Sequence, residues 1–163
     1  MKTGLLAVAD TTPLNYLILI GCTDILGQLF KEVLIPNAVL NELRHPKAPV
    51  EVSRWLISLP AWLRIQSVTW TDPTIQLGDG ENEAISLALE QNIPIVMMDE
   101  RKGRAAAEAR GLLPIGTLNL LDLADEAGFI DGMQALRELR KTTFRAEAKL
   151  ISQFENKMSA RRV

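Results

Sequence analysis

The chain has 163 residues, of which 47% are apolar and 23% charged, a composition typical of one globular domain long enough to bury a core. A net charge of −2 excludes a global basic field for nucleic acid, so a polyanion would need a local basic rim or metal ions. The single cysteine, Cys22, excludes a disulfide framework or a cysteine-based zinc site, and the apolar runs are too short for a signal peptide or membrane span, which predicts a cytoplasmic protein without a membrane partner.

Short apolar runs alternate with amphipathic stretches along the chain. The apolar runs predict strands at residues 5–9, 32–35, 63–68, 94–98 and 112–115. The other stretches predict helices from Pro13 to a break at Gly21, from Thr23 to 30, from Pro36 to an end at His45, over 50–59, from Asp79 or Gly80 to a reversal at Asn92, and over 101–110, 118–127, 131–141 and 144–156. Residues 70–77 are predicted to form a loop.

The alternation predicts an α/β fold in which helices cover both faces of a mostly parallel sheet of about five strands, a three-layer α/β/α sandwich. Right-handed crossovers place the carboxyl ends of parallel strands at one edge, where open α/β sheets bind their ligands. Asp10 follows the first predicted strand and Asp99 follows the fourth. We therefore expect these two carboxylates to be neighbours, although they are far apart in sequence.

Four acids have structural reasons to converge at this edge. Asp10 and Asp99 lie at strand ends, Glu42 lies next to the inward face of its helix, and Glu81 shares the buried stripe of the helix before the fourth strand. Such a cluster is costly without a cation, because like charges raise one another's pKa. Oxygen ligands without a cysteine or histidine cluster favour Mg²⁺ or Mn²⁺ over zinc. The pattern predicts a divalent-cation site that could activate water and stabilise charge on a phosphoryl group.

Three segments resemble the PIN domain family, of the VapC-like type. They are V-A-D-T-T-P-L around Asp10, V-L-N-E-L around Glu42, and above all E-N-E-A-I-S-L-A-L-E-Q-N-I-P-I-V-M-M-D from Glu81 to Asp99. The G-E-x-E-A-I helix and the basic segment 101–104 are similar to a little-characterised bacterial and archaeal branch. The resemblance covers a core of about residues 5–127 in a single domain. It leaves a helical extension over about 128–156 and a basic tail over 157–163.

The resemblance implies a Mg²⁺- or Mn²⁺-dependent endoribonuclease on a Rossmann-like parallel sheet. It also implies that the protein is often a homodimer and the toxin of a VapBC-type toxin-antitoxin pair, with a small antitoxin as partner. By position it implies that Asp10, Glu42, Glu81 and Asp99 are the catalytic, metal-binding acids and that Thr12 is a supporting hydroxyl. The reaction that it implies is in-line attack of metal-activated water on an RNA phosphodiester, which leaves 5′-phosphate and 3′-hydroxyl ends.

The third acid departs from the wider family, which commonly has aspartate there. Glu81 takes this place by its spacing to Asp99, but Glu83 and Asp79 compete for the role, and Glu100 is a further candidate as an outer ligand. A helix cap is the better interpretation of Asp79.

Three basic residues follow Asp99 at the proposed edge: Arg101, Lys102 and Arg104. They form either a solvated face or a set of contacts to RNA phosphates.

Taken singly, the acids have simpler interpretations. Asp10 could be a turn residue, Thr12 an N-cap and Glu42 a solvated helix acid, while Glu81 and Glu83 could be first-turn acids favoured by the helix dipole. Other residue types with possible chemistry are expected to be structural: His45 at a helix end, Cys22 as a small buried residue, and Trp55, Trp62 and Trp70 in the core or a dimer contact.

Two other functions fit parts of the pattern. A catalytically silent PIN-like module would keep the acids and bind a protein at the sheet edge. A phosphotransfer α/β domain fits less well, because a receiver needs a lysine after the last strand, where Gly116-Thr117 stand, and a haloacid-dehalogenase motif needs an aspartate at position 12, which is Thr12.

Overall fold

The computed structural model describes residues 4–163, and Met1, Lys2 and Thr3 lie outside the described residues. Within that range the strands are β1 (Leu6–Ala9), β2 (Glu32–Ile35), β3 (Leu63–Ile65), β4 (Ile95–Met97) and β5 (Leu113–Ile115). They form one sheet in the order β3-β2-β1-β4-β5, and all neighbouring pairs run parallel. The predicted parallel α/β architecture is confirmed.

The helices of residues 4–163 follow the strands as the periodicity predicts. They are α1 (Thr11–Leu19), α2 (Asp24–Leu29), α3 (Asn37–Leu43), α4 (Val50–Leu56), α5 (Asp79–Glu90), α6 (Arg101–Glu108), α7 (Thr117–Glu126), α8 (Gly132–Arg140) and α9 (Ala148–Arg161). Across this described range, none of them combines the length and apolar character needed to cross a bilayer.

Two apolar layers enclose the sheet, because successive side chains of a strand point to opposite faces. On β1, the buried Ala7 and Ala9 pack into the core that includes α1, α2 and α7. Val8, between them, packs into the core formed with α5 and α6. Burial on both faces explains why the central strands are short continuous apolar runs.

The strand order changes direction between β1 and β4. These neighbours pair Val8 with Val96 and Ala9 with Met97, while the chain continues from β1 to β2 on one side and from β4 to β5 on the other. In open parallel sheets, the crevice beyond the carboxyl ends at such a switch point is where ligands bind. In this protein the crevice begins directly after Ala9 and Met97.

Two predicted element starts differ from the structure by two or more residues. Helix α1 begins at Thr11 with Asp10 as its N-cap residue, so Pro13 lies within the first turn instead of opening the helix. Helix α9 begins at residue 148 instead of 144, because the ring of Phe144 packs edge-to-face against Tyr16, with 5.2 Å between ring centroids. This tertiary contact holds the preceding segment outside helical geometry.

Two predicted ends were three residues too late, and the end of α9, predicted at residue 156, was five residues too early because the helix continues to Arg161. The edge strand β3 ends at Ile65 instead of 68, and its last ladder bond runs from the Gln66 amide to the Ile35 carbonyl at 3.0 Å. Helix α4 ends at Leu56 instead of 59, shortly before Pro60. Apolar residues lie beyond both ends, Val68 after β3 and Ile57 and Leu59 after α4, but the backbone there no longer continues the strand or the helix.

The C-terminal helices close over the sheet core. Phe154 and Met158 of α9 are buried in the same core as α7 and α8. Four charged residues bind α9 to α7 and are called the α7–α9 ion cluster below: Asp122, Asp125, Lys157 and Arg161. The basic tail, whose role the sequence left open, is thus paired with acids of the same chain.

Candidate functional site

The switch point brings two of the predicted acids to adjacent strand ends. The Asp10 amide donates to the Met97 carbonyl at 3.0 Å, which extends the β1–β4 pairing by one residue. Asp99 follows β4 two residues after Met97. Asp10 is only 4% exposed, whereas ordinary strand-end aspartates face water. The carboxylates of Asp10 and Asp99 therefore form the floor of the crevice, next to the strand ends.

Asp99 is held against the start of helix α7. Thr117, the first residue of that helix and fully buried, donates its amide to one carboxylate oxygen and its hydroxyl to the other, both at 2.7 Å. Burial raises the pKa of Asp99 above its usual value, although the Thr117 bonds and the charge of Arg104 act in the opposite direction. Asp99 is thus fixed in orientation while part of its charge remains uncompensated.

Glu42 reaches the site from helix α3. Its Oε2 accepts a hydrogen bond from the Thr11 hydroxyl, and its Oε1 accepts from the Gly80 amide at 3.3 Å. Gly80 is in the first turn of α5, where amides have no partner within the helix. The side chain therefore connects the end of β1 with the start of α5.

Glu81 has the least satisfied carboxylate among the described residues. Its Oε2 is inaccessible to solvent and has no hydrogen-bond partner. Burial raises the pKa of Glu81, the charges of Glu100 and Glu42 raise it further, and a backbone contact to Gly78 lowers it. A buried carboxylate oxygen without a donor is unfavourable unless another group completes it.

The four acids share one electrostatic site. The pKa of Asp10 is raised to about 7, chiefly by burial. The Thr11 amide lowers it, whereas the charges of Glu81, Glu42 and Asp99 raise it. The structure therefore brings all four predicted acids within electrostatic reach of one another at the switch point.

Helix N-termini explain how the chain tolerates this arrangement. Asp10 is the N-cap residue of α1, Asp99 accepts from the first amide of α7, and Glu42 accepts from the first turn of α5. The partial positive charge of a helix N-terminus favours a carboxylate. Because helices follow parallel strands, their N-termini collect at the edge where the acids lie.

Comparison with known families decides the identity of the fold. A family model described as a PIN domain matches residues 6–160. The chain belongs to the PIN domain family. Among solved structures it is similar to a PilT N-terminus domain protein of the hyperthermophilic archaeon Sulfolobus solfataricus, with a TM-score of 0.53 and 18% identity, covering 71% of this chain and 90% of that chain. At this identity the likeness concerns the fold alone, and no curated protein matches the sequence.

The donor set of this PIN domain fits a hard divalent cation. The site offers carboxylate oxygens, one of them buried without a donor, and Mg²⁺ and Mn²⁺ prefer such ligands. Among residues 4–163, no three histidine, cysteine, aspartate or glutamate side chains already stand in a geometry that could hold an ion. Glu42 is held by hydrogen bonds from Thr11 and Gly80.

The other candidate ligands, Glu83, Asp79 and Glu100, differ in their surroundings in the PIN domain. Oε1 of Glu83 accepts from the Ala38 amide at 3.2 Å, so this side chain connects α5 to the start of α3. Asp79 is exposed at the first residue of α5, where Gly78 is the N-cap residue, so the predicted capping role of Asp79 is wrong. Glu100 is exposed but contributes charge to the pKa values of Glu81 and Asp99.

The basic segment lies beside Asp99. Arg104 is half-buried, donates to the Met98 carbonyl at 3.0 Å and lowers the pKa of Asp99. Arg101 forms an exposed ion pair with Glu147, and Lys102 is exposed. Arg101 and Arg104 line a cavity of about 1020 Å³ that extends from Asp99 to α9.

Thr12 is not the hydroxyl that contacts an acid. Thr12 lines the cavity, whereas Thr11 and Thr117 donate to Glu42 and Asp99. Thr117 lies two residues after the end of the last strand, as Asp99 does after β4, so the strand-end rule that selected Asp10 and Asp99 could have found it.

The remaining chemically interesting residues are peripheral. His45 is exposed, and its Nδ1 accepts from the Lys47 amide at 3.0 Å. Cys22 is half-buried instead of fully buried, and burial raises its pKa. Trp55 and Trp62 pack together at the core margin, while Trp70 is 56% exposed.

Proposed function

We propose that this PIN domain is a metal-dependent endoribonuclease that hydrolyses phosphodiester bonds with Asp10, Glu42, Glu81 and Asp99. The observation that carries the proposal is the meeting of these four acids at the switch point, where the neighbouring charges that act on Asp10 and Glu81 are those of other carboxylates. Membership of a family whose members are usually nucleases supports it. The choice of RNA over DNA comes from the family resemblance.

The residues of the site have separable roles in the proposed reaction. Mg²⁺ or Mn²⁺, when bound, supplies positive charge that stabilises the phosphoryl group and makes water more acidic. Asp10 and Asp99 would hold the ion from the floor, with Thr117 fixing the orientation of Asp99. Glu42 and Glu81 would complete the ligand set from α3 and α5. Ion binding would release the proton that Asp10, with a pKa of about 7, holds near neutrality.

Hydrolysis needs no side-chain nucleophile in this scheme. Water forms a bond to phosphorus, the bond from phosphorus to the 3′ oxygen breaks, and that oxygen takes up a proton. The products are a 5′-phosphate and a 3′-hydroxyl. Arg104, which lines the cavity beside Asp99, would contact a phosphate, and Arg101 and Lys102 would contact phosphates further along the RNA.

The central experiment measures metal binding and cleavage together. Thermal unfolding with and without millimolar Mn²⁺, and cleavage of a labelled single-stranded RNA, are recorded for the wild type, Asp99→Asn and the control Asp125→Asn. Asp125 is also a hydrogen-bonded acid, but it pairs with Arg161 outside the site. We expect Mn²⁺ to raise the melting temperature of the wild type and the control only, because a ligand that binds the folded state stabilises it.

The wild type and Asp125→Asn should cleave the RNA and Asp99→Asn should not, and cleavage should stop when the metal is chelated. A DNA of the same sequence in a parallel reaction tests the choice of RNA. Mn²⁺ binding without cleavage of either nucleic acid would contradict the nuclease proposal. Absence of any Mn²⁺ effect on the wild type would instead favour the catalytically silent interaction module.

Two finer assignments are proposals of the same kind. We propose that the protein is the toxin of a VapBC-type pair and is neutralised by a small antitoxin, as its resemblance to VapC-like proteins implies. Induced expression of the wild type in a bacterial host should arrest growth, whereas induced expression of Asp99→Asn should not. Arrest by both variants would contradict the toxin assignment.

We also propose a homodimer. Val50 and Ile57, on and directly after α4, are 55% and 84% exposed and lie two helical turns apart on one side. Apolar residues exposed together often mark an interface. Analytical ultracentrifugation should show a dimer that Ile57→Glu converts to a monomer, and a monomeric wild type would contradict this assignment.

A further inference from the structure

Two buried glycines lie inside helices where backbone conformation does not require glycine. Gly80 is in the first turn of α5 and Gly103 is in the first turn of α6. Neither has a positive φ. Glycine is disfavoured within a helix relative to alanine, so each position needs another reason. The reason is found in what a side chain would meet.

A methyl group on Gly103 would collide with Glu81. A Cβ placed there would lie 2.7 Å from Glu81 Oε2 and 2.4 Å from Met98 Sδ, both too close for ordinary contact. Oε2 is the oxygen that has no solvent exposure and no hydrogen-bond partner. Helix α6 can approach this oxygen because position 103 has no side chain.

A methyl group on Gly80 would collide with Glu42 in the same way. Its Cβ would lie 2.6 Å from Oε2 and 2.7 Å from Oε1 of the Glu42 carboxylate. The amide of Gly80 also donates to Oε1 at 3.3 Å. The missing side chain therefore lets the carboxylate reach the helix backbone.

We propose that Gly80 and Gly103 are positioning residues that set the places of the Glu42 and Glu81 carboxylates in the acidic site. The inference rests on the proposed metal-dependent function. Gly103, the glycine of the R-K-G-R segment, would thus act through Glu81, and this role is separate from any contact of Arg101, Lys102 or Arg104 with RNA.

The collision at Gly103 should move Glu81 and leave the fold intact. Met98 Sδ and Glu81 Oε2 both lie near the ends of flexible side chains, which can shift without displacing the backbone of α6, and Glu81 is the less buried of the two residues. Alanine is also the better helix former, which offsets part of the strain. The expected result of Gly103→Ala is a folded protein whose third acid is displaced.

Gly132 provides a matched control far from the site. A Cβ on this residue, the first of α8, would lie 2.3 Å from Met158 Sδ and 3.1 Å from Asp125 Oδ1, again a methionine sulfur and a carboxylate. Gly132→Ala thus introduces the same kind of strain without touching the four acids.

The experiment measures Mn²⁺ affinity by calorimetric titration, with thermal unfolding of the metal-free proteins as a check of folding. Gly103→Ala should bind Mn²⁺ at least tenfold more weakly than the wild type, and Gly132→Ala should bind as the wild type does. Gly80→Ala provides a second variant, in which the three atoms nearest to the added Cβ all belong to the exposed Glu42 side chain, so it should fold even if Gly103→Ala does not. It should also weaken binding tenfold or more.

A double-mutant comparison tests whether Gly103 acts through Glu81. In a Glu81→Gln background, adding Gly103→Ala should produce no further loss of Mn²⁺ affinity. A further tenfold loss would show that Gly103 does not act through Glu81. Wild-type Mn²⁺ affinity in both Gly103→Ala and Gly80→Ala would overturn the positioning role of the two glycines and leave the proposed nuclease function intact. If the wild type itself binds no Mn²⁺, both proposals are overturned.

Discussion

The acidic site at the switch point and the α7–α9 ion cluster hold carboxylates in opposite ways. In the cluster, Lys157 and Arg161 donate to Asp122, and Arg161 also reaches Asp125 at 3.1 Å. Burial alone would raise the pKa of Asp122, but the bonds from these two bases lower it below its usual value. Acids paired with bases in this way bind one element to another.

At the switch point the donors are backbone amides and hydroxyls, and the nearest charges are mostly other carboxylates. The pKa values of Asp10, Glu81 and Asp99 are all raised, with burial as the largest cause. Carboxylates therefore attach one helix to another in the α7–α9 ion cluster, whereas at the switch point they remain available to bind a cation. Experiments that measure stability and metal binding separately test whether the two regions differ in this way.

The largest effect is expected for Asp10→Asn. Removing this ligand should reduce RNA cleavage by about 100-fold or more, which corresponds to a loss of about 3 kcal/mol of transition-state stabilisation. The metal-free variant should nevertheless be more stable than the wild type at pH 8, because it no longer buries a charge among other carboxylates. Cleavage assays and thermal unfolding in chelator measure the two changes.

The pH dependence of that difference follows from the raised pKa of Asp10. Between the ordinary value of 3.8 and about 7, the folded wild type binds more protons than the unfolded chain, so its unfolding free energy falls as pH rises. The loss is at most about 4 kcal/mol and persists above pH 7. The advantage of Asp10→Asn should therefore disappear near pH 4. A metal-free variant less stable than the wild type at pH 8 would contradict this account.

A smaller effect is expected for Arg161→Met in the α7–α9 ion cluster. The substitution removes the bonds to Asp122 and Asp125, should cost about 1 kcal/mol, and should lower the melting temperature by about 2–4 °C. Added salt should reduce the difference, because the pairs are partly exposed. The increase in melting temperature caused by Mn²⁺ should be unchanged, and its loss would show that the two regions are not independent.

The sequence predicted the fold and the convergence of the four acids because both depend on local patterns. Strand β2 was predicted at its observed bounds, and the acids followed from strand ends and helix periodicity. The partners of the acids could not be found in this way. Thr11, Gly80 and Gly103 contribute through packing between helices, which local periodicity does not report.

The late start of α9 is also caused by a contact between distant parts of the chain. Residues 144–147 carry a helical pattern, but the contact between Phe144 and Tyr16, together with the hydrogen bond between Tyr16 and Thr143, decides their conformation. Likewise, the basic tail is paired with acids of α7 that only the folded chain brings near. Tertiary contacts overrode local preference at these points.

The smallest effect is expected where an ion pair holds a loop instead of a helix. Arg110 donates through Nε to Asp72 at 2.8 Å and through a second nitrogen to the Thr74 hydroxyl at 2.8 Å. The bonds from Thr74 and Arg110 lower the pKa of Asp72 from 3.8 to about 2. A depressed acid pKa stabilises the fold above the unfolded-state value, and this contribution is lost as pH falls through about 2.

Arg110→Met should therefore destabilise the protein slightly at neutral pH and by a vanishing amount near pH 2. Hydrogen exchange should become faster in the loop of residues 66–78, while the response to Mn²⁺ stays unchanged. Asp72 also connects to α5, because its amide donates to the fully buried Ser86 hydroxyl at 3.0 Å. If Arg110→Met weakened Mn²⁺ binding, the bond between Asp72 and Ser86 would have to transmit the position of the loop through α5 to Glu81. The carboxylates that hold the structure together and those that bind the cation would then not be independent.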